Sequence, residues 1–575
     1  MTQTTRRPRS SPGARALLLC ALSFAGLPLG CGPAASGPPG PVPCVGSCAE
    51  AVPPPTPPGG GIDYLIVTGP KLVTAAKAYQ TYREQAGYRV GTLVVSPSSS
   101  GAGGDPSARI EEIKAFVRGH YERRDPKRPF FLLILGDGDD PVPVYRYREP
   151  FDGTSNKSDN YYVDLDGDHE PEFPVGRIPA RTVEEALVIL RKIERHESTY
   201  EVGEWNRRLT LFASQGGFSV DYFLEQLTKE YMDAVSYDYD MTMTYASQRS
   251  EYVYVPEKIS DKVYAEINDG ALVAAYQGHG NEAGLDSLSW NGRHFPIFDL
   301  ARLETKLDVR HKPPLLVILA CLTGGFVNRD AFAEEILRTE RAPAALIAST
   351  EISHPYTNGI LFREVAETAT ADREPTVGQF FWRLKYRLMH QKDRIRDTID
   401  AITKIALKPD EVQALKRTHL HMYTLFGDPA MRLRYVDGRA ALTLSSAQVA
   451  RGGEVEVTAA FDGLRHGRAR FSLEVRRKLL AGRTSPVPED GDPRRDEVIR
   501  ANHALANNRA VDRAETTIAE GRATVTLRVP ATGVGAGTLY VKVYADDGVR
   551  DALGSVPVEV VEAGGASSPA EPTSR

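Results

Sequence analysis

Two stretches of the sequence, ALVAAYQGHGNEAG at residues 271–284 and LLVILACLTGGF at residues 315–326, share one design. Each begins with an apolar run of the length of a buried strand. Each then breaks into glycines around one reactive side chain, His279 in the first stretch and Cys321 in the second. Continuous apolar runs of this kind are typical of parallel strands buried on both faces of a sheet. The two stretches therefore predict two core strands of an α/β layer.

The alternation of strands and helices extends this α/β prediction along most of the chain. It opens with the strand DYLIVTG, the helical pattern KLVTAAKAYQTYREQAG and the strand YRVGTLVV, which together predict a βαβ unit. Thr182 and Glu185 form a capping box that predicts a helix over residues 182–200. After YTLFGDPAMRLRY the pattern changes to period-two segments such as GEVEVTAAF and ARFSLEV, typical of an immunoglobulin-like β-sandwich. The charged, partly helical residues 480–520, which lie between ARFSLEV and the later strand RATVTLRV of the same sandwich, are interpreted as an exposed insertion.

The first sixty residues predict export rather than a folded domain. Arginines precede the apolar run ALLLCALSFAGLPLG, as in a secretory signal peptide. The run ends in LPLGC, which resembles the lipobox of bacterial lipoproteins, and this resemblance implies a lipid on Cys31. An ordinary signal peptide cut nearby is the alternative. From Cys31 to Gly61 the composition is dominated by Pro, Gly, Ala and Ser, as in a semi-extended tether.

These patterns divide the chain of 575 residues into six segments. We predict a signal peptide (1–30), a Pro/Gly-rich linker (31–61), an N-terminal α/β subdomain (62–205), a catalytic α/β subdomain (206–436), an immunoglobulin-like sandwich (437–562) and a disordered tail (563–575). The 70 basic and 75 acidic residues leave a net charge of −5, which argues against electrostatic binding of nucleic acid. The expected location is the bacterial outer membrane or cell surface, through a lipid anchor, or otherwise the secreted fraction.

His279 and Cys321 form a candidate catalytic dyad. Because ligands bind outside the carboxyl ends of parallel strands, and consecutive strands are usually neighbours, both side chains are expected at one edge of the sheet. A thiolate is a good nucleophile, and a neighbouring imidazole can stabilise it and later protonate a leaving amine. The N–H groups of Gly280 and Cys321 are candidates for binding the oxyanion. The alternative is a histidine hydrogen-bonded in a turn beside a buried, inert cysteine.

The body of the chain resembles the gingipain-type cysteine peptidases of the caspase-like fold. The matching segments span residues 61–436 and are, in order, LLILGDGDDPVP, NKSDNYY, VGRIPAR, YQGHGNEA, ILACLTGGF, FAEEILR, ALIASTEIS and TLFGDPAMRL. The resemblance implies a mostly parallel sheet in two subdomains, with His279 as general base and acid and Cys321 as nucleophile. It also implies protein or peptide substrates and no cofactor for catalysis. Some relatives act as sortase-like transpeptidases in secretion, and the same dyad would serve that reaction.

One position departs from the gingipain pattern. Gingipains place a glutamate that orients the catalytic histidine in a segment that here reads FASQGG, so Gln215 stands in its place. An amide accepts a hydrogen bond from imidazole but does not stabilise imidazolium by charge, which leaves a catalytically weak surface-binding lipoprotein as a further alternative. By resemblance Asp221 is a candidate acid for a substrate arginine, although it also fits the first turn of a helix. Glu282 is a rival acid, and the loop TEISHP, with Glu351 and His354, is expected to line the substrate pocket.

The segment DLDGDHEPE carries alternating carboxylates on a tight, glycine-containing loop. Its acids, Asp164, Asp166, Asp168 and Glu172, are the hard oxygen ligands that Ca²⁺ prefers. Gingipains bind structural calcium, and the resemblance adds to this interpretation. A solvated acidic turn is the alternative, and the segment GDGDD is a weaker candidate for the same ion.

Overall fold

The fold is described from a computed structural model of the chain. The described residues are 61–96, 106–138, 142–149, 153–199, 201–215, 237–327, 330–393, 396–397, 400–401, 407–476, 479 and 484–562. The predicted signal peptide, Cys31, Asp221 and the predicted tail lie outside these ranges. Among the described residues, no helix combines the length and the apolar character needed to cross a membrane.

The body before residue 437 alternates strands with helices, as the sequence predicts. Its strands are β1 (Tyr64–Thr68), β2 (Val90–Val94), β3 (Phe131–Leu135), β4 (Tyr145–Arg148), β5 (Ser155–Ser158), β6 (Val175–Ile178), β7 (Arg208–Ser214), β8 (Asp240–Ala246), β9 (Val273–Gln277), β10 (Gly280–Asn281), β11 (Gly284–Leu285), β12 (Ser287–Trp290), β13 (Arg293–Pro296), β14 (Leu315–Leu319), β15 (Leu346–Ser349) and β16 (Tyr423–Phe426). Its helices are α1 (Val73–Gln85), α2 (Pro106–Glu122), α3 (Val183–Ser198), α4 (Ile259–Asn268), α5 (Leu303–Lys306), α6 (Phe332–Arg338), α7 (Pro355–Glu367), α8 (Val377–His390) and α9 (Pro409–Met422). The helix predicted from its capping box is α3, in which the Thr182 side chain accepts from the Glu185 N–H.

The body is built around one ten-stranded sheet in the order β2-β1-β3-β6-β16-β15-β14-β9-β7-β8. Within this sheet the four strands that precede β7 in the chain (β1, β2, β3 and β6) lie on one side. The other six (β7, β8, β9, β14, β15 and β16) lie on the other side. All neighbours pair in parallel except β15 and β16, which are antiparallel. This arrangement confirms the predicted mostly parallel α/β body in two parts. The two parts meet at β6 and β16, which share the single register pair Arg177 and Phe426.

A buried ion pair reinforces that narrow junction. The Arg177 guanidinium is fully buried and donates to both carboxylate oxygens of Asp159, with both distances 2.7 Å. Its remaining terminal nitrogen donates to the Gly136 carbonyl at 3.0 Å. A bidentate, charge-assisted pair with satisfied donors is the arrangement in which a buried arginine is stable. The pair therefore anchors β6 to the loop after β3 and to the segment after β5.

The chain after residue 437 forms a separate all-β domain, as predicted. Its strands are β17 (Gly438–Leu444), β18 (Gln448–Ala450), β19 (Glu454–Phe461), β20 (Gly467–Val475), β21 (Ala510–Ile518), β22 (Arg522–Arg528), β23 (Gly537–Asp546) and β24 (Asp551–Val561). They form an eight-stranded sheet in the order β21-β20-β23-β24-β17-β19-β22, with β18 paired to β24. Alternate residues of β19 and β23 point into its own apolar core. The immunoglobulin-like assignment and the domain boundaries stay predictions.

The segment between β20 and β21 differs from the exposed insertion expected there. It contains the helix α10 (Arg495–Asn507), which packs against β8, the edge strand of the body sheet. Asn507 imitates a strand partner: its amide oxygen accepts from the Met243 N–H at 2.8 Å, and its amide nitrogen donates to the Met243 carbonyl at 3.0 Å. Ile499 is fully buried. The helix thus covers a sheet edge that would otherwise offer unpaired backbone groups.

Candidate active site

Two adjacent parallel strands lead to His279 and Cys321 at the same edge of the sheet. β9 and β14 pair in parallel, and their last residues, Gln277 and Leu319, are register partners. His279 and Cys321 each lie two residues further on, and adjacent strands lie about 4.8 Å apart. His279 is exposed, and Cys321 is half-buried. His279 and Cys321 therefore lie at the same edge of the sheet, as expected, each two residues beyond a pair of register partners.

Gly280 allows the histidine loop and the cysteine loop to touch. A Cβ atom at this position would lie 2.8 Å from both the Ala320 Cβ and the Thr323 Cγ2, and 3.3 Å from the Cys321 carbonyl oxygen. Such separations are shorter than van der Waals contact, so a side chain at residue 280 would push the two loops apart. The glycine of the sequence motif is therefore required by close backbone approach.

The hairpin after His279 fixes the direction of the Gly280 N–H. β10 and β11 pair antiparallel with Gly280 opposite Leu285, and the Asp286 N–H donates to the His279 carbonyl at 3.2 Å. Hydrogen-bonded and non-hydrogen-bonded pairs alternate along an antiparallel ladder. Gly280 accordingly takes a non-hydrogen-bonded position, with its N–H directed away from Leu285. This geometry is compatible with the predicted oxyanion role of that N–H.

A triangle of hydrogen bonds holds the backbone of His279. The Ser214 hydroxyl accepts from the His279 N–H at 3.3 Å, the Tyr276 hydroxyl donates to the His279 carbonyl at 2.9 Å, and the two hydroxyls lie 2.9 Å apart. Sequence reasoning missed both positioning residues. Ser214 ends β7, and only the register of β7 against β9, in which Ala213 lies opposite Gln277, brings it to the histidine.

Gln215 follows Ser214 at the end of β7. Its side chain is exposed, and its amide oxygen accepts a hydrogen bond from the Ser247 hydroxyl at 3.2 Å. Its backbone N–H donates to the Ala246 carbonyl at 3.4 Å. Both contacts tie Gln215 to the end of β8. Its role in orienting His279 stays a prediction.

Cys321 stands at the start of a strained turn. The next residue, Leu322, has φ at +59°, which is uncommon for a bulky side chain and is found where surrounding contacts enforce it. Here the Leu322 N–H donates to the Glu351 carbonyl at 3.1 Å, and the Gly324 N–H donates to the Ser349 carbonyl at 2.8 Å. The end of β15 therefore holds the turn that presents the thiol.

Three of the predicted pocket residues have defined surroundings. Glu351 forms an ion pair with Lys157. The His354 ring nitrogen Nδ1 accepts from the Tyr356 N–H at 3.2 Å and caps α7, and burial lowers the pKa of His354 to about 4. Glu282 lies at the tip of the β10–β11 hairpin, with its Cγ 3.3 Å from the place a Cβ of Gly325 would occupy. Their substrate contacts stay predictions, as does that of Asp221.

The acidic loop brings together three of its four predicted ligands. One carboxylate oxygen each of Asp164, Asp166 and Glu172 lies within 4.8 Å of the others, and Asp168 stands outside this group. Backbone N–H groups also reach the cluster, since Gly167 donates to Asp164 at 2.8 Å and Leu165 donates to Glu172 at 2.6 Å. Burial raises the pKa of both Asp164 and Glu172, a cost that a bound cation would offset. The three carboxylates fit the oxygen preference of Ca²⁺.

The weaker calcium candidate, the segment GDGDD, has one described acid in Asp137. That carboxylate forms an ion pair with Arg181. Asp139 and Asp140 lie outside the described residues.

The class of protein follows from a comparison of the sequence with known protein families. The sequence profile of peptidase family C25 matches residues 58–434, and the chain belongs to this family of cysteine-type endopeptidases. Among individual relatives, Lys-gingipain W83 of Porphyromonas gingivalis is 25% identical over 294 residues, which cover 50% of this chain and 16% of the relative. Lys-gingipain HG66 of the same organism is 26% identical over 295 residues. The chain thus spans 16% of the length of these curated relatives.

Solved structures of gingipains are also similar to the chain. The crystal structure of the Arg specific cysteine proteinase gingipain R aligns with a TM-score of 0.49 and 17% identity, over 89% of this chain and 100% of that chain. A complex of the pro- and mature domains of RgpB from Porphyromonas gingivalis aligns with a TM-score of 0.46 and 18% identity, over 87% of this chain and 100% of that chain.

Proposed function

We propose that this chain is an exported cysteine endopeptidase that hydrolyses peptide bonds with Cys321 as nucleophile and His279 as base and acid. The observation that supports this proposal most is the register of β9 and β14, which places His279 and Cys321 beyond neighbouring strand ends at the same level. The membership of the chain in peptidase family C25 adds to this support. His279 is exposed and Cys321 is half-buried, so both side chains are at least partly accessible from solvent.

The reaction follows from these positions in two steps. The Cys321 sulfur attacks the peptide carbonyl carbon, and the Gly280 and Cys321 N–H groups stabilise the negative charge on the oxygen. His279, which has taken the proton of the Cys321 thiol, gives it to the leaving amine, so that the C–N bond breaks and a thioester remains. Water, deprotonated by His279, then attacks the thioester, and the proton returns to the thiolate. The products are a carboxylic acid and an amine.

Cleavage of a mixed peptide library tests this function. We expect Cys321→Ala and His279→Ala each to lower kcat/KM by about 10³-fold or more, since residues of one catalytic unit act together. His311→Ala is the matched control, because this exposed histidine precedes β14 at the opposite end of the strand. Equal cleavage by wild-type protein and Cys321→Ala would end the proposal. Adding a primary amine separates the reactions, because a transpeptidase would give the aminolysis product in place of the acid.

We propose Asp221 as the acid that receives a basic substrate side chain before the scissile bond. The support is its position in the resemblance to gingipains and the name of the Lys-gingipain relatives. Profiling with a peptide library should then show that wild-type protein prefers Lys or Arg immediately before the scissile bond. The Asp221→Asn variant should lose this preference. Glu282→Gln is the companion variant. Loss of the preference in that variant instead would transfer the role to Glu282.

We propose export and a lipid anchor on Cys31. The support is the order of arginines, apolar run and LPLGC motif in the sequence. In a bacterial host that processes lipoproteins, the full chain should fractionate with membranes, and Cys31→Ser should move it to the soluble fraction. Cys44→Ser is the control, because it removes a nearby cysteine outside the motif. Membrane association that is unchanged in Cys31→Ser would contradict the anchor.

We propose a structural calcium ion at Asp164, Asp166 and Glu172. Their grouped oxygens and the burial of Asp164 support this. Because a ligand that binds only the folded state raises its stability, CaCl₂ should raise Tm relative to EDTA. Asp164→Asn should abolish the rise. Asp168→Asn should keep it, since this carboxylate lies outside the group. A Tm that does not respond to CaCl₂ in wild-type protein would refute the site.

A further inference from the structure

A buried serine lies directly behind the Cys321 thiol. The Cys321 Sγ is 3.7 Å from the Ser353 carbonyl oxygen and 3.7 Å from the Ser353 hydroxyl oxygen. Ser353 is 8% exposed and belongs to the loop between β15 and α7, whereas Cys321 follows β14. One residue therefore offers the sulfur both an acceptor and a hydroxyl.

Two further side chains restrict the direction of the Ser353 hydroxyl. The Asn358 amide nitrogen donates to the Ser353 Oγ at 2.8 Å and also faces the Leu319 carbonyl at 3.4 Å. A carbonyl oxygen can only accept, which identifies this end of the amide as the nitrogen. The Tyr423 hydroxyl donates to the Asn358 amide oxygen at 2.7 Å. Because burial raises the pKa of Tyr423, its hydroxyl keeps the proton it donates.

The two groups of Ser353 suit the two protonation states of the sulfur. A thiol donates its proton to the Ser353 carbonyl. A thiolate has no proton to give, and it accepts from the Ser353 hydroxyl, whose own oxygen already accepts from Asn358. Hydrogen bonds to an ionised partner are stronger than those between neutral groups. The Ser353 hydroxyl is therefore the group of this residue that can stabilise the thiolate, whereas the carbonyl can serve only the thiol.

We propose that Ser353 is a positioning residue that stabilises and aims the Cys321 thiolate, with Asn358 and Tyr423 fixing the direction of its hydroxyl. The inference rests on the proposed function in that the thiolate is the attacking species. The N-terminal end of α7, the helix that begins two residues after Ser353, adds favourable partial positive charge on the same side. Ser353 contacts the Cys321 sulfur and acts on the reaction through it, which separates its role from that of His279.

The pH dependence of alkylation tests the role without any substrate. The rate of modification of Cys321 by iodoacetamide, followed by peptide mass, rises with pH as the thiolate forms. In Ser353→Ala the midpoint of this rise should move up by about one pH unit, the scale of one hydrogen bond to a charged group. Ser260→Ala removes an equally buried hydroxyl in α4, 7% exposed, and should leave the midpoint unchanged.

An isosteric pair of variants separates the hydroxyl from its packing. Ser353→Thr and Ser353→Val have the same shape, but only threonine carries the hydroxyl. We expect the midpoint of Ser353→Thr to stay near that of wild-type protein and that of Ser353→Val to rise as in Ser353→Ala. Equal midpoints for the threonine and valine variants would overturn the inference, even if the alanine variant unfolds. Superimposable profiles for Ser353→Ala and wild-type protein would overturn it as well.

The same measurements distinguish this inference from the proposed function. If wild-type protein cleaves no peptide but the threonine and valine variants differ in midpoint, the peptidase proposal fails and the role of Ser353 stands. If the library is cleaved through Cys321 but the midpoints coincide, the peptidase proposal stands and the role of Ser353 fails.

Discussion

The two parts of the body sheet present the same kind of carboxyl edge and use it differently. In the later part, β9 and β14 lead to His279 and Cys321, which are at least partly accessible. In the earlier part, β3 and β6 lead to Asp137 and Arg181, which form an ion pair with each other. The difference lies in the residues just after each strand. Glycines and a strained turn keep one edge open, whereas complementary charges close the other.

The edge closed by the Asp137–Arg181 ion pair is connected to the edge that carries His279 and Cys321. Arg181 also pairs with Asp330, which lies just before α6. From α6 itself, Arg338 contacts Asp330 at 2.9 Å and Glu334 at 2.8 Å. The segment between Cys321 and α6 is therefore tied at its far end to the earlier part of the body. This contrast makes opposite predictions for variants at the two edges, because one set should affect catalysis and the other stability.

The largest effect is expected for Gly280→Ala at the open edge. The new Cβ would lie 2.8 Å from the Ala320 Cβ and the Thr323 Cγ2, which must separate the two catalytic loops. A misplacement of about 1 Å in a catalytic group costs about 10²-fold in rate, so kcat/KM should fall by about that factor with Tm nearly unchanged. Gly119→Ala, in α2 with 3.5 Å to its nearest neighbour, is the matched control. Full activity in Gly280→Ala would refute the close approach.

Arg338→Gln at the closed edge should give the reverse result. It removes the 2.8 Å hydrogen-bond donor of the fully buried Glu334 side chain and the 2.9 Å partner of Asp330, and we expect a loss of about 2 kcal/mol in the free energy of unfolding. Because Arg338 lies away from the dyad, kcat per folded molecule should stay constant. Arg310→Gln removes an exposed pair with Asp308 and should change stability little. A fall in kcat without a fall in stability would contradict the division of roles.

Ser214→Ala should have a smaller effect on catalysis than Gly280→Ala. It removes the hydroxyl that accepts from the His279 N–H, and we expect kcat to fall about 5- to 10-fold, in line with a net hydrogen-bond contribution of about 1 kcal/mol. Tyr276→Phe should act similarly, and the double variant should lose less than the product of the two, since both hydroxyls belong to one network. Multiplicative losses would show that the two residues act separately.

A buried histidine makes the stability of the protein depend on pH. His503 is buried, lies 3.0 Å from the Thr244 hydroxyl between α10 and β8, and has its pKa lowered to about 3 by burial. The unfolded chain takes up a proton near pH 6.5, but folded His503 does not until about pH 3, so stability falls as pH falls through this window. From pH 6.5 to 5.5 this loss is about 1 kcal/mol, and His503→Gln should remove it. An unchanged pH slope of the unfolding free energy in the variant would contradict the assignment.

The main strands, and the placement of His279 and Cys321 just beyond two of them, could be predicted from the sequence because they depend on local pattern. The run ALVAAYQ contains β9, and LLVILA contains β14, so the positions of His279 and Cys321 followed once the strands were placed in parallel. The grouping of Asp164, Asp166 and Glu172 was anticipated for the same reason, because the three acids lie on one short loop.

The features that the sequence could not supply depend on register and on contacts between distant segments. Ser214 lies 65 positions from His279, and Ser353 lies 32 positions from Cys321. The insertion between β20 and β21 was expected to be exposed because it is rich in charge. In α10, however, only one face carries that charge, and Ile499, Asn502 and His503 are buried on the other. The surface that such a helix covers, here the edge strand β8, is identified only from the three-dimensional structure.

The most direct test of the account is covalent capture of the nucleophile by a peptidyl acyloxymethyl ketone, followed by peptide mass mapping. We predict a single adduct on Cys321 in wild-type protein, at least 10²-fold slower labelling in folded His279→Ala, and none at this position in Cys321→Ala. Labelling of Cys321 at the same rate without His279, or an adduct on another residue that persists in Cys321→Ala, would contradict the claim that the two strand ends form one catalytic pair.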